Sequence, residues 1–408
     1  MKIAVFTTYF DPEENGLTGY INGLYGALLK KHPDIKIDII AFDTLKTKKP
    51  FEKKPNWNVH RLNCIPILGR TYAIPTIRGL RQLKEIFNKN SYAIINTHTR
   101  FFLTSYLGVK YGKKYRIPVI HTEHGSDFVK HRKKIIETIA KVYDLTLGKY
   151  VLKNAAIVCG VSKSACDFAK KLGAKKMEVV YNGIDTKFWK KTPFLVSPLT
   201  RGKNLLASEA SRGSSKITFT FVGRLIPEKG VQDLIETLHS LSSRPLSRDL
   251  EKKSENISGS RVALCLSGMT ANNWELLIVG DGFYRKNLED LVKKCGLEDK
   301  IKFLGTRDQE EIRDILHNTD LFINPSLASE GLPTTILEAA ACGCPVLSSD
   351  KGGSVEVLEE KNLYPAGNLM ELKKKISNYQ KIPVPKVDKF NWKNISESYY
   401  RIIKKYRP

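Results

Sequence analysis

Two carboxylates eight positions apart, Glu330 and Glu338, lie in the stretch Ser329-Glu330-Gly331-Leu332-Pro333-Thr334-Thr335-Ile336-Leu337-Glu338-Ala339-Ala340-Ala341-Cys342-Gly343-Cys344-Pro345-Val346. Pro333 suits the first position of a helix, because its missing N–H has no intrahelical partner there and its φ is already helical. Glu330 is therefore expected in the loop ahead of that helix, and Glu338 about a turn and a half along it. The N-terminus of such a helix favours anions through its free N–H groups and its dipole, so one anionic ligand seated there could be reached by both carboxylates.

A second candidate segment is Phe221-Val222-Gly223-Arg224-Leu225-Ile226-Pro227-Glu228-Lys229-Gly230-Val231, which reads as a strand running into a loop. Residues at the carboxyl end of a strand in an open α/β sheet face the ligand crevice. There Arg224 could fork onto two oxygens of a diphosphate while Lys229 acts as a point charge, and Gly223 permits close backbone approach. Alone, such an Arg/Lys pair reads as solvated surface; the Glu330/Glu338 segment is what turns it toward a ligand. Val279-Gly280-Asp281-Gly282 and Phe303-Leu304-Gly305-Thr306-Arg307-Asp308 end the next two strands, so three consecutive strand ends carry glycine. Any one of these glycines would mark an ordinary turn; together they fit a nucleotide cleft. The chain has no Gly-x-Gly-x-x-Gly and no Gly-x4-Gly-Lys-[Ser/Thr], which removes the usual supports for dinucleotide binding or ATP hydrolysis.

The elements that must position these residues follow from the alternation of apolar runs with helix-like segments. Strands are expected over 3–6, 37–42, 93–96, 118–121, 156–161 and 179–181, then over 217–223, 275–280, 301–304, 321–325 and 345–348. This alternation predicts an α/β chain with two doubly wound parallel sheets. Between the two series, 193–215 is rich in Ser, Pro, Gly and Lys and reads as a linker; 240–273 reads as a polar insertion. The expected organisation is a first domain over 1–192, a second over 216–389, and a C-terminal helix within 390–408. Trp392, Ile395, Tyr399 and Ile402 share one face of that helix, which must pack on something and is assigned to the first domain.

The chain of 408 residues suits two domains, and its 41% hydrophobic and 27% charged residues are ordinary for a globular protein. No 18-residue apolar run appears, and the short run after Met1 reads as a buried strand rather than a signal peptide. Seven cysteines without metal-ligand spacing suggest reduced thiols and a cytoplasmic setting, with Cys342-x-Cys344 packed under a helix end. Residues 1–190 hold 34 Lys and Arg against 15 Asp and Glu, a net +19 of the chain's +25. A field of that sign attracts phosphates, whether on a phosphorylated acceptor, an anionic lipid or nucleic acid; no nucleic-acid motif is present. In the basic segment 129–143, Ile136, Ile139, Ala140 and Tyr143 recur at helical spacing. Two readings fit equally: a helix lying on an anionic membrane surface, or a core-facing helix with a solvated basic side.

Taken in order, Gly-Arg-Leu-x-Pro-Glu-Lys-Gly, Val-Gly-Asp-Gly, Asn324-Pro325-Ser326, Glu-x7-Glu, Ala-x-Gly-x-Pro-Val and Gly352-Gly353-x-x-Glu356 resemble the nucleotide-sugar domain of retaining glycosyltransferase family 4. The first half resembles the same family more loosely, through Asn15-Gly16, where the family has paired glycines, His124-Gly125-Ser126-Asp127, Val161-Ser162 and Tyr181-Asn182-Gly183-Ile184-Asp185. The resemblance implies the GT-B architecture, two Rossmann-like domains facing a central cleft, with the donor bound by the second domain and the acceptor by the basic first one. It implies that Arg224 and Lys229 bind the diphosphate, Glu338 the ribose hydroxyls and Glu330 the transferred sugar. His124 would lie near the anomeric carbon, with His121 and His98 as weaker candidates. Gly16, Gly223, Gly280, Gly305, Thr306, Gly331 and Leu332 would line the donor.

The implied reaction is transfer of a sugar, with retention, from a nucleoside diphosphate sugar to a glycan or lipid-linked acceptor, as in cell-surface polysaccharide or glycoconjugate synthesis. No cofactor or metal is expected, since there is no Asp-x-Asp and the leaving diphosphate could be met by fixed cations and helix N–H groups. The setting would be cytoplasmic or peripheral on the inner membrane face. The alternative within the same architecture is a nucleotide-sugar epimerase or hydrolase.

Overall fold

A computed structural model describes residues 1–12, 16–47, 49–67, 72–129, 134–190, 216–242 and 273–407. The expected linker 193–215 and nearly all of the expected insertion 240–273 lie outside these residues; the helix before the insertion runs to Ser242 and the strand after it starts at Trp274. The chain forms two compact units. One comprises Met1–Asp185, Ser329–Thr334 and Asp388–Pro408; the other comprises Thr186–Ala328 and Thr335–Val387. The helix Thr186–Trp189 thus goes with the second unit rather than with 1–192. Two contacts explain this: His317 Nε2 lies 3.0 Å from the Trp189 carbonyl, and the Arg313 guanidinium sits 4.9 Å from the Phe188 ring centre.

Among the described residues the first unit carries ten strands: β1 (Lys2–Phe6), β2 (Lys36–Phe42), β3 (Phe51–Lys53), β4 (Asn58–Leu62), β5 (Cys64–Ile67), β6 (Tyr72–Pro75), β7 (Ile94–His98), β8 (Val119–Glu123), β9 (Ile157–Gly160) and β10 (Met177–Val179). Eight of them form one sheet in the order β10-β9-β8-β7-β1-β2-β4-β3, and β5 and β6 form a separate antiparallel hairpin. The large sheet is parallel except for the edge pair β3–β4. Ile3, Ala4, Val5 and Phe6 are wholly buried, as a central parallel strand covered on both faces requires. Strand β10 comes two residues before the expected 179–181.

The helices that matter to the site in this unit are α1 (Gly16–Lys31), α2 (Ile77–Lys89), α3 (Leu103–Tyr115) and α4 (Lys134–Tyr143). The apolar face of the C-terminal helix Trp392–Tyr406 lies against α1. Tyr399 meets the Tyr25 ring edge-on at 6.0 Å, and a Cβ at Gly23 or Gly183 would collide with the Trp392 ring. Asn391 caps that helix by accepting from the Asn394 N–H at 3.0 Å.

The second unit holds a wholly parallel sheet of β11 (Ile217–Val222), β12 (Trp274–Val279), β13 (Ile301–Gly305), β14 (Leu321–Asn324), β15 (Val346–Ser349) and β16 (Leu363–Tyr364), in the order β13-β12-β11-β14-β15-β16. Its core gathers Phe219, Phe221, Trp274, Leu276 and Ile278 under the helices Val231–Ser242 and Leu369–Ser377. In both sheets the strand order reverses beside β1 or β11. Such a reversal opens a crevice at the strands' carboxyl ends, where open α/β sheets bind ligands.

Candidate active site

In the second unit β11 ends at Val222, and the Gly223 N–H donates to the Val279 carbonyl at 3.0 Å. The Gly280 N–H in turn donates to the Gly305 carbonyl at 2.8 Å. Gly280 has φ 124°, and a Cβ there would collide with the Gly223 carbonyl. Gly280 is therefore demanded by the Gly223 backbone beside it, whereas a Cβ on Gly223 would press on the Phe221 ring and Gly305 is a glycine at φ 71°.

Beyond Gly223 the chain makes a single 3-10 turn, Pro227–Lys229, closed by Gly230 at φ 68° with its N–H donating to the Pro227 carbonyl at 3.0 Å. A Cβ on Gly230 would collide with the Pro325 carbonyl. The Glu228 carbonyl accepts from the Leu327 N–H at 2.8 Å and from Ser326 Oγ at 3.3 Å, and Ser349 Oγ donates to the Ser326 carbonyl at 2.6 Å. These bonds fasten the Arg224–Lys229 loop to the Asn324-Pro325-Ser326 turn after β14. The main chain is fixed, while the Arg224 side chain is exposed and Lys229 half-exposed. Arg224 forms no ion pair among the described residues, so its charge is available to an anion.

Elsewhere in this unit Thr306 is exposed after β13, beside Arg307, which pairs with Glu311 at 2.9 Å. Glu338 is half-buried in the helix Thr334–Ala341, which starts one residue after the expected Pro333. Cys342 and Cys344 follow that helix as free thiols, and burial pushes both up to about 12.

In the first unit Gly16 opens α1 and is exposed, and a Cβ there would meet nothing within 4 Å; Asn15 lies outside the described residues. His124 follows β8. Its Nε2 stands 3.3 Å from His98 Nδ1, and the Tyr20 ring meets it edge-on at 4.7 Å. Burial pulls His124 down to about 4, with Glu123 opposing and His121 assisting; burial and the neighbouring histidines lower wholly buried His98 too. Both rings are thus neutral at pH 7. His121 turns away from this pair, with Nδ1 2.8 Å from Thr97 Oγ1 and Nε2 3.4 Å from Glu123 Oε2.

The His124 loop is braced by a buried charge cluster. Glu123 Oε1 accepts from Arg100 Nη1 at 2.9 Å and from the Gly125 N–H at 2.8 Å. Arg100 Nη2 donates to the Asp127 carbonyl and to Asp144 Oδ2, both at 3.0 Å. Burial raises the Glu123 carboxyl, but Arg100, His121 and the Gly125 N–H outweigh it and leave it at about 2. At Asp144 burial prevails over Arg100 and the group is raised. Just before Arg100, Thr99 has φ 63°, a strained conformation for a β-branched residue. It is held by its own N–H donating to the Thr122 carbonyl at 2.9 Å and by Ser105 Oγ donating to its carbonyl at 2.9 Å.

Residues 329–334 belong to this unit, and the loosely matching segments of the first half are what hold them. Ser126 Oγ meets Ser329 Oγ at 2.9 Å, and Asn182 Nδ2 donates to the Leu332 carbonyl at 2.7 Å. A Cβ on Gly331 would collide with the His124 carbonyl and press on Val161. Half-buried Glu330 is thereby anchored on both sides, one residue from a main chain that touches His124.

Of the predicted residues, His124, Glu330, Gly331, Leu332 and Gly16 stand in the first unit, and Arg224, Lys229, Gly223, Gly280, Gly305, Thr306 and Glu338 in the second. Sequence reasoning missed Arg100, Glu123 and Asp144. The available signal was position: Arg100 and Glu123 close the carboxyl ends of β7 and β8, where crevice residues belong. Among the described residues, no group of three His, Cys, Asp or Glu is arranged to hold a metal ion.

Two family models match, Glycosyltransferase Family 4 over residues 15–188 and Glycosyl transferases group 1 over 207–391. The chain belongs to glycosyltransferase family 4. An uncharacterised glycosyltransferase of Methanocaldococcus jannaschii is 26% identical over 99% of this chain and 98% of its own length. The UDP-Gal:alpha-D-GlcNAc-diphosphoundecaprenol alpha-1,3-galactosyltransferase of Escherichia coli is 25% identical over 71% of this chain and 66% of its own. Among solved structures, the Anabaena protein HepE in complex with UDP-glucose superposes with a TM-score of 0.70 at 20% identity, over 99% of this chain and 100% of its own. The fold of this family 4 member is GT-B, and the protein is a glycosyltransferase.

Proposed function

We propose that the protein transfers a sugar, with retention of anomeric configuration and without a metal, from a nucleoside diphosphate sugar to a glycan or lipid-linked acceptor. The observation that carries this reading is the Arg224–Lys229 loop, whose main chain is fixed at both ends and which presents an exposed Arg224 and a half-exposed Lys229 at the carboxyl end of β11. Leaving of the nucleotide develops negative charge on the diphosphate, and fixed cations stabilise that charge without reorganising. Arg224 and Lys229 would take that role, Glu338 the ribose hydroxyls, and Glu330 the transferred sugar. His124, neutral at pH 7, would add no positive charge against the cationic character that grows on the sugar.

A UDP-glucose complex of a fold relative supports a nucleotide-sugar donor, and a diphosphoundecaprenol-using relative supports a lipid-linked acceptor. That acceptor class resides at a membrane, so the reading includes a role in cell-surface polysaccharide or glycoconjugate synthesis at the cytoplasmic membrane face. The test is a nucleotide-sugar panel screened by thermal shift, followed by product analysis with the best donor. A stabilising donor and an acceptor-dependent product with the donor's anomeric configuration support the proposal. Free sugar or an epimer formed without acceptor would replace it with hydrolysis or epimerisation.

A further inference from the structure

The outward face of α4 is apolar. Ile135, Ile139 and Val142, spaced at i, i+4 and i+7, are 70%, 63% and 55% exposed, and Leu145 in the following turn extends the stripe, whereas Ala140 is the residue of α4 that is buried. Of the stripe read from the sequence, Ile139 is exposed, but Ile136 and Tyr143 are half-buried and Ala140 is buried, so α4 packs inward on that side and carries a second apolar row outward. The stripe continues onto the β5–β6 hairpin. Ile65 and Ile74 are paired across its strands and both exposed; the next pair on that face, Ile67 and Tyr72, leads to α4 through Tyr72, whose ring meets Tyr143 edge-on at 5.8 Å. Past the hairpin, α2 begins with exposed Ile77 and Leu80.

Cations flank these apolar residues: Lys134 and Lys141 are exposed on α4, and Arg78, Arg81 and Lys84 on α2. Of the acidic side chains on the two helices, Glu137 is paired with Lys134 at 3.1 Å, and Glu85 is exposed on α2. A contiguous apolar patch with a cationic rim marks an interaction site. No helix among the described residues is long and apolar enough to cross a membrane. We infer that α4, the β5–β6 hairpin and the start of α2 form a surface that docks on an anionic lipid bilayer, with the isoleucines entering the acyl boundary and the Lys and Arg side chains meeting lipid phosphates. The choice of partner rests on the proposed lipid-linked acceptor; the surface itself rests on exposure and charge.

The test is flotation of the full-length protein with mixed phosphatidylglycerol–phosphatidylcholine vesicles and with pure phosphatidylcholine vesicles, without donor or acceptor. The wild type is expected to float with the anionic vesicles and remain behind with the neutral ones. The triple variant Ile135→Ser, Ile139→Ser, Val142→Ser is expected to bind anionic vesicles about tenfold more weakly or less. Unchanged circular dichroism and an unchanged thermal shift with the best donor confirm that the variant is folded. A wild type that ignores anionic vesicles, equal flotation with neutral vesicles, or a triple variant that floats like wild type overturns the inference. So does a wild-type dimer that the triple variant converts to monomer, which would assign the face to a second copy. Because the assay contains no sugar nucleotide, its failure leaves the transferase reading intact, and a failed donor screen leaves the docking surface intact.

Discussion

Replacing Arg100 with Leu should destabilise the first unit in a way that depends on pH. The Arg100 side chain is 3% exposed and pairs with two wholly buried carboxylates, Glu123 at 2.9 Å and Asp144 at 3.0 Å. Removing one partner of a buried ion pair strands the other charge, a loss of about 3–5 kcal/mol. The wild-type Glu123 sits at about 2, below its ordinary value of 4.5, so its contribution is complete above pH 4.5 and is lost as pH falls toward 2. In Arg100→Leu the same carboxyl is desolvated without its cation and is raised, so the variant gains stability as pH falls and the group protonates. The difference between the two proteins should therefore be largest near pH 7.5 and shrink toward pH 5. Urea unfolding at both pH values, read in wild type, Arg100→Leu and the triple variant Arg100→Leu, Glu123→Gln, Asp144→Asn, measures this. The triple variant removes all three charges and should recover most of the loss at pH 7.5. A pH-independent deficit, or a triple variant no better than the single one, would refute the view that stranded charge rather than lost packing is the cause.

Other expectations follow from the same geometry. Gly230→Ala forces a side chain into the left-handed region at about 1–2 kcal/mol and against the Pro325 carbonyl; the loop must shift, and isothermal titration should show weakened donor binding. Arg224→Ala and Lys229→Ala should each weaken donor binding while leaving the melting temperature without ligand nearly unchanged, since neither side chain is buried; unaltered titrations would exclude the pair from the diphosphate site. His124 is held at about 4 against an ordinary 6.5, so the unfolded chain binds the extra proton between those values. Its contribution is complete above pH 6.5 and is lost as pH falls to 4, a difference of about 3 kcal/mol. His124→Gln should flatten that part of a stability–pH profile.

The strands that were legible in the sequence are those buried on both faces, such as Ile3–Phe6 and Phe219–Val222, where burial leaves a continuous apolar run. The strands β3 and β4 were not, because an antiparallel edge admits polar residues: Arg61 is buried in β4 by pairing with Glu52 of β3 at 2.8 Å, which no apolar pattern announces. Glu330, Glu338, Arg224 and Lys229 stand out in the sequence as candidates because each pair lies close along the chain beside a strand end. Arg100, Glu123 and Asp144 were hidden because their connection is made by folding; Arg100 and Asp144 are 44 residues apart. The periodicity of 129–143 located a helix, seen over Lys134–Tyr143, but apolar spacing is the same whether a stripe faces a core or a bilayer. Only exposure separates the two. In the sequence the strand-end glycines fit a nucleotide cleft, and the structure adds a nearer cause for one of them: Gly280 has no room for a Cβ beneath the Gly223 carbonyl.

Acceptor-dependent sugar transfer by wild type and by Glu330→Ala, using the donor selected by thermal shift, tests the central claim most directly. The account predicts that the wild type forms one glycosylated product with the donor's anomeric configuration, and that soluble, folded Glu330→Ala still binds the nucleotide diphosphate but forms no product. Wild-type turnover by Glu330→Ala would contradict it.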